Sequence, residues 1–392
     1  MKDRLSRRDL LALAATSGAV LALPRWARAA EAAPAKKKVL ILGGTRFLGV
    51  AIVEAALAKG WELTLFNRGK SNPGLFKGRP LEEIHGDRNV ADDVKKLAGR
   101  KWDAVIDTSG YFPRQVRSAA EVLSGNVGQY VFISSISVYD APMKAGMDET
   151  AAVARLAAGT DVDAIKDITG GNYGALKLLC EEAAEKAMPG KALNVRPGYI
   201  VGDRDGSDRF TYWPVRVRKG GEVLVAGKPA DPLQFIDVRD LGDWIVRMVE
   251  SGTNGVFNAT GPKERLTMKA FLETCRKETK SNATFTWAPE AKLKELGLTP
   301  EADFPIWVST EGPEAGIGDV SIARALKAGL TFRPLPETIA STLHWWDSLP
   351  EERRAKARAG LAAEKEAEVL TALKGKAPAA AAPAAPPSEV KK

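Results

Sequence analysis

The chain carries a series of short apolar runs that are separated by stretches with helical spacing. The first run, Val39 to Leu42, ends in glycines, and apolar residues then recur at helical spacing until Gly60. Wholly apolar runs of this length are typical of parallel strands that are buried on both faces. Further strands are predicted at residues 63–66, 81–85, 104–106 and 130–133. This alternation predicts an α/β fold with a Rossmann-type, doubly wound parallel sheet.

The segment between the first strand and its helix is rich in glycine. It reads Gly43-Gly44-Thr45-Arg46-Phe47-Leu48-Gly49. Glycines let the backbone approach a pyrophosphate group, and the N-terminus of the next helix presents free N–H groups to it. This layout, with another strand following, predicts a dinucleotide-binding turn. The expected binding residues are Gly43, Thr45, Arg46, Phe47, Leu48 and Gly49.

The end of the second predicted strand indicates which dinucleotide binds. In an NAD site this position usually carries an acidic residue that bonds the ribose 2′-hydroxyl, whereas NADP requires a basic group for its 2′-phosphate. Here Asn67 replaces the acid and Arg68 follows it, and Arg46 can converge on the same phosphate. The sequence therefore favours NADP over NAD. The strand ends further along the chain add Asp87, Thr108 and Ser109 to the predicted cofactor-binding set.

The chemistry of the predicted site depends on Tyr173 and Lys177. They stand four residues apart at the start of an alanine-rich helix that is predicted to reach Ala187, which places both on one helix face. A tyrosine that acts as a base near neutral pH needs its pKa lowered by about three units from its usual value. The Lys177 ammonium and a positive nicotinamide ring would favour the phenolate. The alternative is a tyrosine that packs beside a solvated lysine.

These motifs appear in the order that is found in one known family. The chain resembles the extended short-chain dehydrogenases/reductases, the NAD-dependent epimerase/dehydratase group, over residues 37–345. The resemblance is carried by the glycine turn, Ser134-Ser135-Ile136-Ser137-Val138-Tyr139, Tyr173 with Lys177, and Asn194-Val195-Arg196-Pro197-Gly198. It implies that Tyr173 is the general acid/base and that Lys177 holds the cofactor ribose and lowers the tyrosine pKa. It also implies that Ser135 positions the reacting oxygen of the substrate.

Two features differ from the usual family pattern. Arg46 stands where a third glycine is usual, and the interval from Ser135 to Tyr173 is longer than usual. The glycine turn and Phe66-Asn67-Arg68-Gly69 together resemble an atypical branch that includes the chloroplast stem-loop-binding proteins, some of which bind RNA. An RNA-binding protein on a dehydrogenase scaffold is therefore one alternative to the enzyme, and an NADPH-dependent carbonyl reductase is another.

The resemblance divides the chain into regions. Residues 36–200 are expected to form the NAD(P)-binding domain, and residues 201–348 a smaller C-terminal substrate lobe whose last packed helix spans 338–347. From Glu351 the chain is charged and then rich in alanine and proline, which predicts a disordered tail over 351–392. The loop at residues 111–115 is expected to close over the nicotinamide side. Apolar walls with a few polar anchors suit a small ligand, and the expected lining residues are Arg114, Tyr199, Trp213, Arg216 and Gln234. For Tyr199, Trp213, Arg216 and Gln234, packing within the lobe is an equally good alternative.

The N-terminus has the features of an export signal. Residues 1–8 are basic, residues 10–23 are apolar, and Ala27-Arg28-Ala29 is a small-residue cleavage site. Ser6-Arg7-Arg8-Asp9-Leu10-Leu11 resembles the twin-arginine type, so residues 1–29 are interpreted as a twin-arginine signal and the protein as periplasmic or otherwise exported. The apolar run is shorter than the roughly 20 residues that span a bilayer, which predicts no permanent membrane anchor.

The composition narrows the remaining classes of function. The net charge of +8 is concentrated at the ends, with +4 in residues 1–29 and +3 in residues 351–392, so nucleic-acid binding by the body is not expected. The chain has two cysteines, Cys180 and Cys275, and two histidines, His85 and His344. No metal site is predicted, and the cysteines are interpreted as reduced core residues. Acid–base chemistry therefore depends on tyrosine, lysine or carboxylates.

The sequence thus predicts an exported NADP-dependent enzyme that acts on a sugar or another polyol. Since the periplasm offers no nicotinamide pool, we expect a redox-neutral reaction such as epimerisation or dehydration, in which the cofactor is retained. The expected partners are a small-molecule substrate and the twin-arginine export machinery, and the prediction leaves room for a homodimer.

Overall fold

The computed structural model describes residues 36–375. The predicted export signal at 1–29 and the alanine- and proline-rich end from Ala377 lie outside these residues. The strands are β1 Lys38–Leu42, β2 Glu62–Asn67, β3 Leu81–His85, β4 Trp102–Asp107, β5 Val127–Ile133, β6 Ala192–Pro197, β7 Tyr199–Val201, β8 Glu222–Ala226, β9 Pro232–Leu233, β10 Phe235–Asp237, β11 Gly255–Ala259, β12 Leu266–Thr267 and β13 Thr284–Ala288. The α-helices are α1 Leu48–Ala58, α2 Ala91–Lys95, α3 Pro113–Leu123, α4 Gly170–Ala187, α5 Tyr212–Arg218, α6 Val238–Ser251, α7 Met268–Glu278, α8 Glu290–Glu295, α9 Pro300–Asp303, α10 Ala323–Lys327, α11 Leu335–Ser348, α12 Glu351–Ala355 and α13 Ala363–Leu373.

A seven-stranded sheet forms the centre of the larger half. Its strand order is β11-β6-β5-β4-β1-β2-β3, and every neighbouring pair is parallel. The order reverses between β1 and β4, and ligands of such sheets bind outside the carboxyl ends of the strands at that point. The predicted doubly wound parallel sheet is therefore confirmed.

Alternate residues of β1 explain how the sheet is buried on both faces. Val39 and Ile41 pack in one core with α1 and α6, whereas Leu40 and Leu42 pack in another with α3 and α4. Helices α1 and α6 approach closely, since a Cβ atom on Gly242 would lie 3.1 Å from Ala51. The wholly apolar strand that the sequence predicts is thus required by helices on both sides.

The smaller half has its own apolar core. Three two-stranded pairs, β7 with β10, β8 with β13 and β9 with β12, border this core together with α5, α7 and α11. Phe210, Phe235 and Phe271 lie at its centre, with ring centroids 5.0 to 5.8 Å apart. Cys275 is buried here and Cys180 is buried in the larger half, and both are free thiols as predicted.

The predicted domain boundary at residue 200 is wrong in one respect. Helix α6 and strand β11 follow it in the chain but belong to the larger half, because α6 packs on α1 and β11 pairs with β6. Residues of α10 also contribute to the core of the larger half. An apolar pattern identifies a strand or a helix but does not specify which sheet it joins.

The prediction of a disordered tail is wrong for residues 351–375. This segment contains α12 and α13, and Leu361, Val369 and Leu370 are buried in the core of the smaller half. Glu366 is only 3% exposed and accepts hydrogen bonds from Arg216 Nε at 2.6 Å and from Leu224 N at 3.0 Å. Helix α11 is therefore not the last packed helix. The segment is rich in charged residues, but its apolar residues lie on one face that packs against the core of the smaller half.

Two further searches cover the described residues. Between residues 36 and 375 no helix has the length and apolarity that crossing a membrane requires. Over the same residues, no group of three or more histidine, cysteine, aspartate or glutamate side chains is placed to hold a metal ion.

Candidate active site

The glycine turn between β1 and α1 lies against the end of β4. A Cβ atom on Gly43, whose φ is +113°, would lie 2.5 Å from Thr108 Oγ1. A Cβ atom on Gly49 would lie 2.8 Å from the Cα of Gly44. Only residues without a side chain fit at these positions. The turn therefore presents bare backbone at the point where the strand order reverses.

Helix α1 begins at Leu48 without a side-chain cap. Its N-cap residue Phe47 has φ 39° and makes no side-chain capping bond, and the first turn contains no acidic residue. Such a φ is strained for a residue with a side chain, and strain of this kind is concentrated at ligand sites. The N–H groups of Gly49 and Val50 donate to the carbonyl oxygens of Arg46 and Phe47 at 2.9 Å, so it is mainly the positive end of the helix dipole that suits a phosphate group. Arg46 is exposed at this end of the helix, and Thr45 is buried.

Asn67, at the end of β2, has an unused hydrogen-bond donor. Its Oδ1 accepts the N–H of Gly69 at 2.7 Å, whereas its Nδ2 is buried without a partner among the described residues. Arg68 and Lys70 are exposed next to it. Both cations act on Asp87, whose pKa is lowered mainly by its hydrogen bond from the Asn89 backbone and also by these charges. This corner therefore combines positive charge with a free amide donor.

Thr108 and Ser109 join the ends of β4 and β1. Their hydroxyl groups both donate to the carbonyl oxygen of Leu42 at 3.1 Å. Ser109 Oγ also accepts a hydrogen bond from Arg88 Nη1 at 2.9 Å. These two predicted cofactor residues lie at the expected place, but their hydroxyl protons are already used within the protein.

A buried ion pair behind the site was not predicted from the sequence. Arg88 donates to both carboxylate oxygens of Asp107 at 2.7 and 2.8 Å, and the hydroxyl of Tyr130 donates to Asp107 at 2.8 Å. Burial tends to raise the pKa of Asp107, but the charge and hydrogen bonds of Arg88, together with the hydrogen bonds from Tyr130 and the Ser109 N–H, outweigh burial and the pKa is lowered. The available signal was Asp107 itself, because a carboxylate that ends a buried strand needs a partner.

Ser135, Tyr173 and Lys177 lie together at the carboxyl end of β5. Lys177 is 4% exposed, and its Nζ donates to the carbonyl oxygens of Gly110 at 2.9 Å and Ile133 at 2.5 Å. Ser135 Oγ lies close enough to Tyr173 to affect its phenol, and Ser135 also donates to Ser137 Oγ at 3.0 Å. The side chains that sequence reasoning assigned to catalysis are therefore brought to one place.

The pKa values of the pair differ from the expected pattern. Burial raises the pKa of Tyr173, and the neighbouring Tyr111 raises it further, whereas Ser135 and the charge of Arg209 lower it. Burial lowers the pKa of Lys177 to about 8. The expected lowering of the tyrosine pKa by Lys177 is not found, and the lysine ammonium is instead held by the two backbone carbonyls.

The loop at residues 111–115 lies next to the catalytic pair. The Tyr111 ring is 46% exposed, and its centroid lies 5.4 Å from Lys177 Nζ. Gln115 fixes the loop, since its Oε1 accepts the N–H groups of Tyr111 and Phe112 at 3.1 and 3.2 Å. Arg114, a predicted substrate residue, donates to the carbonyl oxygen of Ile165 at 2.9 Å. Arg114 therefore connects this loop to the longer interval before α4.

Three of the predicted lining residues have structural roles instead. Trp213 is fully buried in the core of the smaller half, and its Nε1 donates to the carbonyl oxygen of Pro305. Arg216 is engaged by Glu366 and by two backbone carbonyls. Gln234 exchanges two hydrogen bonds with the backbone of Val320. Aromatic and polar residues of a lobe look alike in sequence whether they line a pocket or stabilise its wall.

Tyr199, a predicted substrate residue, begins β7. It follows Gly198, where a Cβ atom would lie 2.5 Å from Thr260 Oγ1 and 3.5 Å from Ile136 Cδ1. Ile136 is the residue after Ser135. The guanidinium carbon of Arg209 lies 4.9 Å from the centroid of the Tyr199 ring. The close packing at Gly198 therefore joins the start of the smaller half to the turn that follows Ser135.

These residues fit a nicotinamide dinucleotide. The bare backbone at Gly43 and Gly49 and the uncapped start of α1 match a pyrophosphate. The unpartnered Asn67 Nδ2 is available to an acceptor on the adenosine ribose. Lys177 uses two of its three N–H groups within the described residues, which leaves one for a ribose hydroxyl.

Comparison with known proteins identifies similar sequences and structures. The model of the NAD dependent epimerase/dehydratase family matches residues 39–260. The chain is 27% identical over 263 residues to the Chloroplast stem-loop binding protein of 41 kDa b of Arabidopsis thaliana, covering 62% of this chain and 64% of that protein, which is less than two thirds of its length. It is 24% identical over 255 residues to the Epimerase family protein SDR39U1 of Bos taurus, covering 60% of this chain and 78% of that one. The fold resembles the Bordetella bronchiseptica enzyme WbmH in complex with NAD+, with a TM-score of 0.58 and 18% identity over 80% of this chain and 99% of that one.

Proposed function

Since the chain belongs to the NAD dependent epimerase/dehydratase family, we propose that it is an exported, NADP-dependent epimerase or dehydratase. Its proposed substrate is a sugar or another polyol, and its proposed catalytic residues are Ser135, Tyr173 and Lys177. The prediction of an enzyme of the short-chain dehydrogenase type is confirmed at the level of the family. The observation that carries the finer proposal is the convergence of these three side chains at the carboxyl end of β5.

The arrangement suits the transfer of one proton at a substrate oxygen. With its raised pKa, the Tyr173 phenol carries a proton at neutral pH and can hold a substrate hydroxyl or carbonyl. Ser135 next to it can orient the same oxygen. A bound nicotinamide ring supplies hydride acceptance and donation. Burial raises the pKa of Tyr173, and the charge of Arg209 offsets part of this rise.

The proposed export supports a redox-neutral reaction. A protein that leaves the cytoplasm through the twin-arginine route carries its cofactor already bound, because that route transports folded proteins. Outside, a reaction with net oxidation or reduction would exhaust the bound cofactor after one turnover. Epimerisation and dehydration return the hydride in each cycle, so they can continue. The carbonyl-reductase alternative differs, because it consumes NADPH as it consumes substrate.

The adenosine corner supports NADP over NAD. Arg68 and Lys70 are exposed next to Asn67 in the chain, Arg46 is exposed at the start of α1, and the unused amide donor suits a phosphate oxygen. No carboxylate stands at the end of β2 to receive a 2′-hydroxyl. WbmH binds NAD+, whereas we propose that this chain binds NADP, which differs by a phosphate on the 2′-oxygen of the adenosine ribose.

The test begins with the purified mature protein from residue 30. We expect heat denaturation to release about one NADP(H) per chain into the supernatant. We also expect NADPH to bind the emptied protein about tenfold more tightly than NADH, as measured by nicotinamide fluorescence. The double variant Arg46→Gln and Arg68→Gln should lose most of this preference. The proposal would be contradicted if denaturation released no nucleotide and the nucleotide-free protein bound neither NADPH nor NADH.

A further inference from the structure

The loop between β4 and α3 carries a backbone carbonyl group that holds Lys177. This lysine is 4% exposed, and its Nζ donates to the carbonyl oxygens of Gly110 and Ile133. Ile133 is the last residue of β5 and is fixed by the parallel sheet, whereas Gly110 lies at residues 108–112, outside any strand or helix. The position of the ammonium group therefore depends on what fixes this loop.

Arg88 binds the loop on one side of Gly110. It comes from the segment between β3 and α2, and its side chain is 11% exposed. Besides its two bonds to Asp107, its Nη1 donates to Ser109 Oγ at 2.9 Å and its Nη2 donates to the carbonyl oxygen of Gln115 at 3.2 Å. The N–H of Ser109 also donates to Asp107 at 3.0 Å. One planar guanidinium thus joins the end of β4, the start of the loop and the first turn of α3.

Gln115 binds the loop on the other side. Its Oε1 accepts the N–H groups of Tyr111 and Phe112 at 3.1 and 3.2 Å, which fixes the backbone directly after the carbonyl group that binds Lys177. Its Nε2 donates to Asn89 Oδ1 at 2.9 Å, so it is connected to the same segment that carries the arginine. The guanidinium before this carbonyl group and the amide after it therefore hold the loop from both sides.

The packing around Gly110 leaves the loop little freedom. A Cβ atom there would lie 2.7 Å from the Phe132 ring and 3.2 Å from Asp107 Oδ2, so the backbone lies directly against β5 and beside a buried carboxylate. Arg88 compensates the charge of that carboxylate. The charges of Arg88 and Asp107 act on Lys177 in opposite directions and offset each other in part. What the pair contributes to the lysine is therefore mainly its position.

We propose that Arg88 and Gln115 are positioning residues for Lys177, acting through the loop between β4 and α3. By holding the Gly110 carbonyl oxygen on the ammonium group, they direct its remaining N–H towards a ribose hydroxyl at the nicotinamide end of the cofactor. Asp107 in turn holds Arg88 in place. The inference rests on the proposed function, because it gives Lys177 a role in binding the cofactor. Loss of either positioning residue should weaken binding of the nicotinamide half and not of the adenosine half.

The test compares NADPH with 2′,5′-ADP, which retains the phosphorylated adenosine half and lacks the nicotinamide riboside. Both are titrated by calorimetry into the mature protein, from residue 30, after its nucleotide has been removed. Gln115→Met removes the hydrogen bonds of the side chain without leaving a buried charge unpaired. It should weaken NADPH binding about tenfold and leave 2′,5′-ADP binding unchanged. Gln115→Glu keeps the acceptor for the two loop N–H groups and should restore most of the NADPH affinity.

A second pair of variants shows whether the effect passes through the lysine. Arg88→Met should show the same difference between NADPH and 2′,5′-ADP as Gln115→Met. In a chain that already carries Lys177→Met, neither change should weaken NADPH binding much further, because the loop then has no ammonium group to hold. If Arg88→Met does not fold, Gln115→Met provides the same comparison.

Arg353 supplies the matched control. It donates to both carboxylate oxygens of Asp208, which is 1% exposed, at 2.7 and 2.8 Å. This pair resembles Arg88 with Asp107, but in the described part of the chain no hydrogen bond connects it to the loop between β4 and α3. Arg353→Met should therefore destabilise the fold and leave NADPH binding unchanged in the folded protein.

Three results would overturn the inference while the proposed function stands. The first is that the Arg88 and Gln115 variants bind NADPH as tightly as the wild type. The second is that they lose 2′,5′-ADP to the same extent as NADPH, and the third is that Arg353→Met loses NADPH equally.

Urea unfolding of the nucleotide-free protein tests the same contact without a ligand. Gln115→Met should lower the unfolding midpoint less in the Lys177→Met chain than in the wild-type chain, because the bond between the loop and the ammonium group is already absent there. Equal shifts in the two chains would contradict the inference. If the wild type binds no nicotinamide cofactor, the proposed function fails, and this unfolding measurement decides the inference by itself.

Discussion

Lys177 is a buried cation that depends on two backbone carbonyl groups. Its Nζ bonds Gly110 and Ile133, and it lies 4.3 Å from the centroid of the Phe132 ring. Burial nevertheless lowers its pKa from 10.5 to about 8. Below that pH the folded protein therefore carries a buried charge that is unfavourable relative to the same charge in the unfolded chain.

This environment predicts how stability changes with pH. Between the folded pKa of about 8 and the unfolded value of 10.5, the unfolded chain binds a proton that the folded chain has released, so the free energy of unfolding rises with pH. The wild type should gain about 2 kcal/mol relative to Lys177→Met between pH 8 and about 9.5. Urea denaturation of both proteins, each freed of nucleotide, measures this difference. A difference that is independent of pH over this range would contradict the assignment.

Single side chains differ in how well the sequence predicts them. The proximity of Ser135, Tyr173 and Lys177 follows from motif order and a spacing of four. Arg88 was missed because it stands among polar residues after β3 and resembles a solvated arginine. Trp213 was misplaced in the pocket wall for the opposite reason, since an aromatic residue in a lobe suits a wall and a core equally well.

Helix α4 is positioned by a close backbone contact. At Gly174 a Cβ atom would lie 1.9 Å from the carbonyl oxygen of Ser137, so the helix touches the turn at Ile136–Val138. This contact sets the depth at which Tyr173 stands relative to Ser135. The absence of a side chain at Gly174 therefore allows α4 and the turn at Ile136–Val138 to approach this closely.

Gly174→Ala should be strongly destabilising, by about 3 kcal/mol, because the overlap is with backbone that cannot rotate away. Gly171→Ala is the matched control on the same helix, since a Cβ atom there meets nothing closer than 4.0 Å. That change should be neutral or stabilising by up to about 1 kcal/mol, because alanine has the higher helix propensity. Chemical denaturation gives both values. Similar values for the two variants would show that the contact at Gly174 is not the cause.

At the level of elements, long periodic segments were predictable and short ones were not. The first five strands of the parallel sheet lie where the sequence predicts them, and β1, β2, β4 and β5 follow from their apolar runs. Strands β9 and β12 have two residues each. Such strands form because the surrounding lobe brings their backbones together, so the local sequence pattern does not predict them.

The C-terminal segment, residues 351–375, contributes to the core of the smaller half. Leu361, just before α13, and Val369 and Leu370 within α13 are buried in the core of the smaller half. They also provide partners for Arg216 and Asp208. The sequence suggested disorder here because its charge and alanine content are high. What decides the outcome is a complementary surface that lies more than a hundred residues earlier in the chain.

Removing this segment should therefore destabilise the protein. A chain that ends at Ser348 loses three buried leucine or valine side chains and should be less stable by about 5 kcal/mol. A chain that ends at Gly375 retains every contact described here and should match the wild type. Thermal and urea unfolding of the two chains provide the measurement.

A point variant covers the case in which the shorter chain does not fold. In the full chain, Glu366→Ala leaves Arg216 without its buried partner and should cost about 3 kcal/mol. If the chain that ends at Ser348 is as stable as the chain that ends at Gly375, the segment is not part of the folded lobe.

The path of the chain between its two halves has an evolutionary consequence. Strand β11 closes one edge of the parallel sheet, although it is encoded after much of the smaller lobe. A gene fragment that stopped near residue 200 would encode a sheet with its outer strand missing and α1 without its neighbour. Recombination could not trade the smaller lobe for another as a cassette inserted at one seam.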